Sequence, residues 1–283
     1  MGNLKNKQQY TLEIENAFKQ VVDKNIPLTF PLPHEEPNIL KEILKDKKTV
    51  LTLAGYGYGF SFLENSEVIS IDLCPAQIAQ NLILKSMCIT FEYDQFIDII
   101  KRLEKRKKLD ENEIKKILSE IPNTLKEIST EILNFLPYYF QGNLIGKNIT
   151  LLSFFPFAEN KDHYENTKRN LIDGKFKIYL GRIPNDLELF TIEQIDGYYF
   201  SNITDHISFE EKKELCRQLK NSKTNSSIVF ADIRFPMKNN KIKTFNEDLN
   251  QLIELNEFKI RDSFIRISPI LETEIRYSIF DKK

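Results

Sequence analysis

Tryptophan is missing from this 283-residue chain, and it holds only three cysteines, three histidines and nine glycines. Each scarcity excludes something. Cys74, Cys88 and Cys216 have neither disulfide pairing nor metal-ligand spacing, which rules out a disulfide framework and fits a reducing compartment. His34, His163 and His206 share no spacing that a metal would need, so no metal is expected. Charge of one sign is also lacking. Lys and Arg number 40 against 41 Asp and Glu, a net charge of −1. That balance gives no basic field for a nucleic-acid partner. No apolar run approaches the ~20 residues of a membrane span, and the opening MGNLKNKQQY has no signal-peptide core. The expectation is a soluble, cytoplasmic protein without a transmembrane segment; nothing indicates its oligomeric state.

What is present is an aromatic-rich core, with 21 Phe and 11 Tyr in a chain that is 41% hydrophobic. That is enough for one large domain or a domain with an insertion. Three of the glycines, Gly55, Gly57 and Gly59, fall within five residues. They close the strand-like run Thr49-Val50-Leu51-Thr52-Leu53-Ala54. A second apolar run, Val68-Ile69-Ser70-Ile71, ends at Asp72, 17 residues after Gly55. Strand, glycine turn, helix, strand and terminal acid is the pattern of a nucleotide-type pocket. The turn lets a ligand lie on the backbone and the acid accepts ribose hydroxyls. Asp72 equally suits the start of the helix opened by Pro75-Ala76. Tyr56 and Tyr58 read as core aromatics or as rings against an adenine or a sulfonium.

Along the chain, residues 1–45 read as an N-terminal helical cap. A helix face runs through Tyr10, Leu12, Ile14, Ala17, Phe18, Val21 and Val22, a stiff proline-rich stretch covers 27–37, and a short helix spans Asn38 to Lys45. Residues 46–283 read as an α/β domain. Within it, 90–146 form a helical insertion too long for a connection, expected to shape a second substrate's site. Candidate strands follow at Ile149–Phe155, Phe176–Leu180, Gly197–Ser201, Ser227–Ala231, Phe258–Ile267 and Thr273–Phe280. The last two form an antiparallel hairpin on a mainly parallel sheet. Ser201, Asn202, Asp205 and His206 follow a strand end, where open α/β sheets hold ligands. Asp205 or His206 suits proton acceptance from an acceptor hydroxyl or amine, although a capped helix start through Thr204 or Ser208 and a surface histidine account for them equally. The basic run Lys101 to Lys108 reads as a solvated helix end, with peripheral membrane contact as its alternative.

Several of these segments together resemble one family. They are Val50 to Gly55, Val68 to Gln77 with its Asp72-Leu73-Cys74-Pro75-Ala76-Gln77 corner, Leu84-Lys85, Phe91 to Phe96, and Phe200 to His206. The family is the S-adenosylmethionine:diacylglycerol 3-amino-3-carboxypropyl transferases of betaine-lipid synthesis. Cys74, His206, Tyr56 and Tyr58 depart from its pattern. The resemblance implies a Rossmann-like class I S-adenosylmethionine-dependent methyltransferase fold with S-adenosylmethionine as donor, and together with the reading of the residues themselves it makes Gly55, Tyr56, Gly57, Gly59, Asp72, Leu73, Ser201 and Asn202 the candidates for holding it. It further implies transfer of the aminocarboxypropyl group to a small-molecule or lipid acceptor, or intramolecularly, with release of methylthioadenosine. Asp205 and His206 would be catalytic. An ordinary methyltransferase and a non-catalytic S-adenosylmethionine-binding protein stay open beside it.

Overall fold

The structure is a computed structural model, described for residues 36–55, 57–105, 107–144, 150–201, 203, 207–233, 253, 257–267 and 274–283; side chains of 135, 137–144 and 233 are excepted. The expectations for residues 1–35, including the first helix face and most of the proline-rich stretch, lie outside those residues.

Seven strands form one sheet: β1 Thr49–Leu53, β2 Glu67–Asp72, β3 Phe176–Leu180, β4 Gly197–Ser201, β5 Ser227–Ile233, β6 Phe258–Ile267 and β7 Glu274–Lys282, in the order β3-β2-β1-β4-β5-β7-β6. The first five run parallel, and β7 enters antiparallel between β5 and β6. The order reverses beside β1, so the parallel strands end in a crevice there. This is the mainly parallel sheet with an antiparallel terminal hairpin that the sequence predicts.

Helices are α1 Pro37–Ile43, α2 Pro75–Thr90, α3 Tyr93–Glu104, α4 Glu111–Ser119, α5 Lys126–Leu144, α6 Lys161–Ile172 and α7 Phe209–Leu219. Their starts follow local chemistry. Capping boxes open α3 (Glu92 with Gln95), α4 (Asp110 with Glu113) and α7 (Ser208 with Glu211), and Pro75 opens α2.

Two sequence expectations are corrected. The expected strand Ile149–Phe155 is not found among its described residues, 150–155: Leu151–Phe154 is a 3-10 helix, in which Leu151 and Phe154 are buried while its backbone joins no ladder. The apolar run is continuous because it plugs the core, and periodicity alone cannot tell that from a strand. The second correction lies between β1 and β2. The expected helix is a five-residue 3-10 helix, Tyr58–Phe62, with all five residues buried. Aromatic Phe60 and Phe62 anchor it against the sheet, and the crossover is too short for a full helix.

The sheet divides two cores. One face, through Val50, Val68, Tyr199, Val229 and Tyr277, packs on α2 and on the α3–α6 region, including Phe96, Ile99, Ile100, Ile117, Ile132 and Tyr164. The other, through Leu51, Ile71, Tyr198, Phe200 and Phe230, is covered by α7 and by Ile183, Leu187 and Ile192 of the β3–β4 connection. The helices of the 90–146 insertion therefore belong to the sheet's own core. Ser86 Oγ donates to the Ile117 carbonyl at 2.6 Å, fastening α4 to α2.

Candidate functional site

Of the residues singled out from the sequence, Gly55, Gly57, Asp72, Leu73 and Ser201 lie at or just beyond the carboxyl ends of β1, β2 and β4. At the end of β1, Ala54 still donates to the Ile71 carbonyl at 2.9 Å, and the chain then turns through Gly55 to Gly59. Gly57 has φ +70°, the left-handed region that a branched residue resists, and caps the 3-10 helix. Gly59 is required for another reason. A Cβ there would lie 2.6 Å from Phe176 and 3.1 Å from Val68, so its need for glycine comes from inside the fold. At Gly55 the space a Cβ would take is filled by the Tyr58 ring at 2.6 Å. Tyr58 is buried, edge-on to Tyr199 with ring centroids 5.3 Å apart. It is a core aromatic covering its own turn.

Asp72 ends β2. One carboxylate oxygen accepts from the Cys74 backbone N–H at 2.8 Å, so the acid opens α2 as local chemistry suggests. Burial pushes its pKa up from 3.8 to about 6, against the lowering effect of the Cys74 and Leu73 backbone N–H groups. Leu73 beside it is a large apolar side chain left 59% exposed. Ser201 closes β4 and is half-buried. Tyr56, Asn202, Asp205 and His206 lie outside the described residues.

Sequence reasoning missed two contributors. Gly181 donates to the Asp72 carbonyl at 2.8 Å, which brings the loop after β3 alongside the acid. Asp186 fixes that loop by accepting from Arg182 N–H at 2.6 Å, while Arg182 pairs with Glu211 of α7 at 2.7 Å. The other contributor is Asn81 on α2, wholly buried, with Nδ2 donating to the Ala54 and Gln77 carbonyls at 2.9 Å each. The available signal was the polar group Gln77, Gln80 and Asn81 on one buried stretch of α2.

Other sequence candidates resolve as surface chemistry. Lys101, Lys105, Lys107 and Lys108 are exposed, Arg102 pairs with Asp98 and Glu113, and Leu103 is buried, a solvated helix end as predicted. His163 sits 3.8 Å from Glu64. Among the described residues no cluster of His, Cys, Asp and Glu has metal-binding geometry, and no helix is long and apolar enough to cross a membrane. None of the three cysteines is in a disulfide; burial pushes the Cys216 thiol up to about 12. An acidic groove of about 410 Å³ between α3 and α4, lined by Asp94, Asp98, Asp110 and Glu113, is remote from the strand ends.

The sheet order and the crevice define a Rossmann-like class I S-adenosylmethionine-dependent methyltransferase fold. No protein-family model and no curated protein matches the chain. Similar solved structures include the N-methyltransferase NodS from Bradyrhizobium japonicum, 7% identical over 87% of this chain and 93% of that one, with a TM-score of 0.44. Another is the 1,6-didemethyltoxoflavin-N1-methyltransferase from Burkholderia thailandensis, with bound 1,6-didemethyltoxoflavin and S-adenosylhomocysteine. It is 11% identical over 98% of this chain and 90% of that one, with a TM-score of 0.47. A third is the glycopeptide N-methyltransferase MtfA, 8% identical over 89% and 97%, with a TM-score of 0.44.

Proposed function

We propose that this protein is an S-adenosylmethionine-dependent transferase acting on a small-molecule acceptor. The observation that carries the reading is Asp72, a carboxylate at the end of β2 in a sheet of order β3-β2-β1-β4-β5-β7-β6, next to the Gly55–Gly59 turn. An acid there accepts both ribose hydroxyls, Leu73 packs on the base, and the turn lets the ligand's chain approach the backbone. Ser201 and Asn202 would close the β4 side, with Tyr56 and Gly57 on the turn. The protein supplies position rather than bond chemistry: whichever sulfonium carbon lies in line with the nucleophile is the one transferred. Asp205 and His206 are the candidates for taking the acceptor's proton.

Methyl transfer is the reading we adopt, because the sheet is the one class I methyltransferases use, an argument from fold analogy. Aminocarboxypropyl transfer is the second reading, favoured by the Asp72-Leu73-Cys74-Pro75-Ala76-Gln77 corner. A lipid acceptor belongs with that second reading. Residues 46–283 would be the donor-binding domain, with 90–146 shaping the acceptor's side. Product analysis decides between the readings. Incubated with S-adenosylmethionine and acceptor candidates bearing an amine or hydroxyl, the protein should release S-adenosylhomocysteine. Methylthioadenosine would establish aminocarboxypropyl transfer instead. Donor binding without either product would leave a non-catalytic binding protein.

A further inference from the structure

The crossover from β1 to β2 lacks an α-helix, and this changes what reaches the glycine turn. With only the 3-10 helix Tyr58–Phe62 in place, α2 lies directly over the turn. Its Leu84 Cδ2 stands 3.1 Å from where a Gly57 side chain would begin, and Asn81 reaches the Ala54 carbonyl immediately before Gly55.

The amide of Asn81 cannot be turned round. Its Nδ2 is held between two carbonyl oxygens, Ala54 and Gln77, so exchanging O and N would set three acceptors against one another. Its Oδ1 is therefore fixed, wholly buried, and among the described residues meets no hydrogen-bond donor. A buried acceptor left without a donor is costly, and such groups in native proteins generally await a partner. The missing group must be a donor, which excludes a carboxylate or phosphate. The Tyr58 ring covers the same turn, edge-on to Tyr199, and a charged donor gives a stronger hydrogen bond to an amide oxygen than a neutral hydroxyl does.

We propose that Asn81 Oδ1 is the acceptor for the α-ammonium group of the donor's amino-acid portion, drawn in where the chain passes over Ala54 and Gly55. This rests on the reading of the crevice as an S-adenosylmethionine site. The same residue thus ties α2 to β1 through its nitrogen and reads the ligand through its oxygen.

The test compares two probes by calorimetry: S-adenosylhomocysteine, and the same molecule without its α-amino group, 5′-S-(3-carboxypropyl)-5′-thioadenosine. The native protein should prefer the first by roughly tenfold or more, as a charge-assisted hydrogen bond implies. Asn81→Leu should bind both alike, at the native affinity for the deaminated probe. Asn81→Ala removes the acceptor without setting a new oxygen against the Ala54 and Gln77 carbonyls; it should likewise bind both probes alike, and it decides the matter if Asn81→Leu does not fold. Equal native affinities for the two probes overturn the assignment, as does a loss in Asn81→Leu that falls on both probes equally. Failure of the native protein to bind either probe overturns the donor reading itself, and the assignment with it.

Discussion

At the scale of single residues, Asp72 carries two duties with opposed consequences. Its carboxylate accepts the Cys74 N–H where α2 begins and, in the proposed function, the ribose hydroxyls, and burial raises its pKa to about 6. The sign follows from linkage. The folded state holds the proton more tightly than the unfolded chain, so this group's contribution is most favourable below about pH 4 and is lost as pH rises through about 6. Asp72→Asn should therefore stabilise the unliganded protein at pH 8, on the order of 1–3 kcal/mol, with the gain vanishing near pH 4. Asn still accepts the Cys74 N–H, so the helix start survives. The same variant should bind S-adenosylhomocysteine roughly ten- to a hundredfold more weakly. Native affinity should fall as pH drops through about 6, since the protonated acid accepts poorly. Thermal melts and calorimetry across pH 4–8 check all three; unchanged affinity in folded Asp72→Asn would remove the site.

At the scale of elements, the glycine turn separates into positions with different reasons. Gly57 is needed for a positive φ, whereas Gly59 is needed because Phe176 and Val68 leave no room. Gly59→Ala should cost about 1–3 kcal/mol of stability through overpacking, with donor affinity in the folded fraction little changed. Denaturant titration beside ligand titration distinguishes this from a direct ligand contact, for which affinity would fall without loss of stability. The sequence shows three equivalent glycines here, because spacing reports a turn and says nothing of which neighbours press on it. The helices fared better. Ser208 with Glu211 and Asp110 with Glu113 announce their starts locally, and those capping boxes are present in the structure. Residues 150–154 misled because a buried 3-10 plug and a buried strand share one apolar pattern.

At the scale of the whole molecule, the 90–146 helices share one core with the sheet. Phe96 of α3 packs on Phe155, Phe157 and Tyr164, and Tyr164 donates to the Cys88 and Phe91 carbonyls at the end of α2. Phe96→Ala should therefore cost about 3–5 kcal/mol of global stability. Unfolding should be a single transition, coincident by far-ultraviolet circular dichroism and tyrosine fluorescence. Two separated transitions would make the insertion an independent unit.

The sequence by itself determined the alternation of strands and helices, the antiparallel ending, the glycine turn and the acid that ends β2. Each of these is written in residues near one another in the chain, through turn chemistry and side-chain periodicity. Only the tertiary structure decided that no helix fits between β1 and β2, that α2 covers the turn in its place, and that the insertion packs into the sheet's core. Asn81 shows why. Its role depends on the Ala54 carbonyl, 27 positions earlier in the chain, and on burial that several elements create together, neither of which any local pattern encodes.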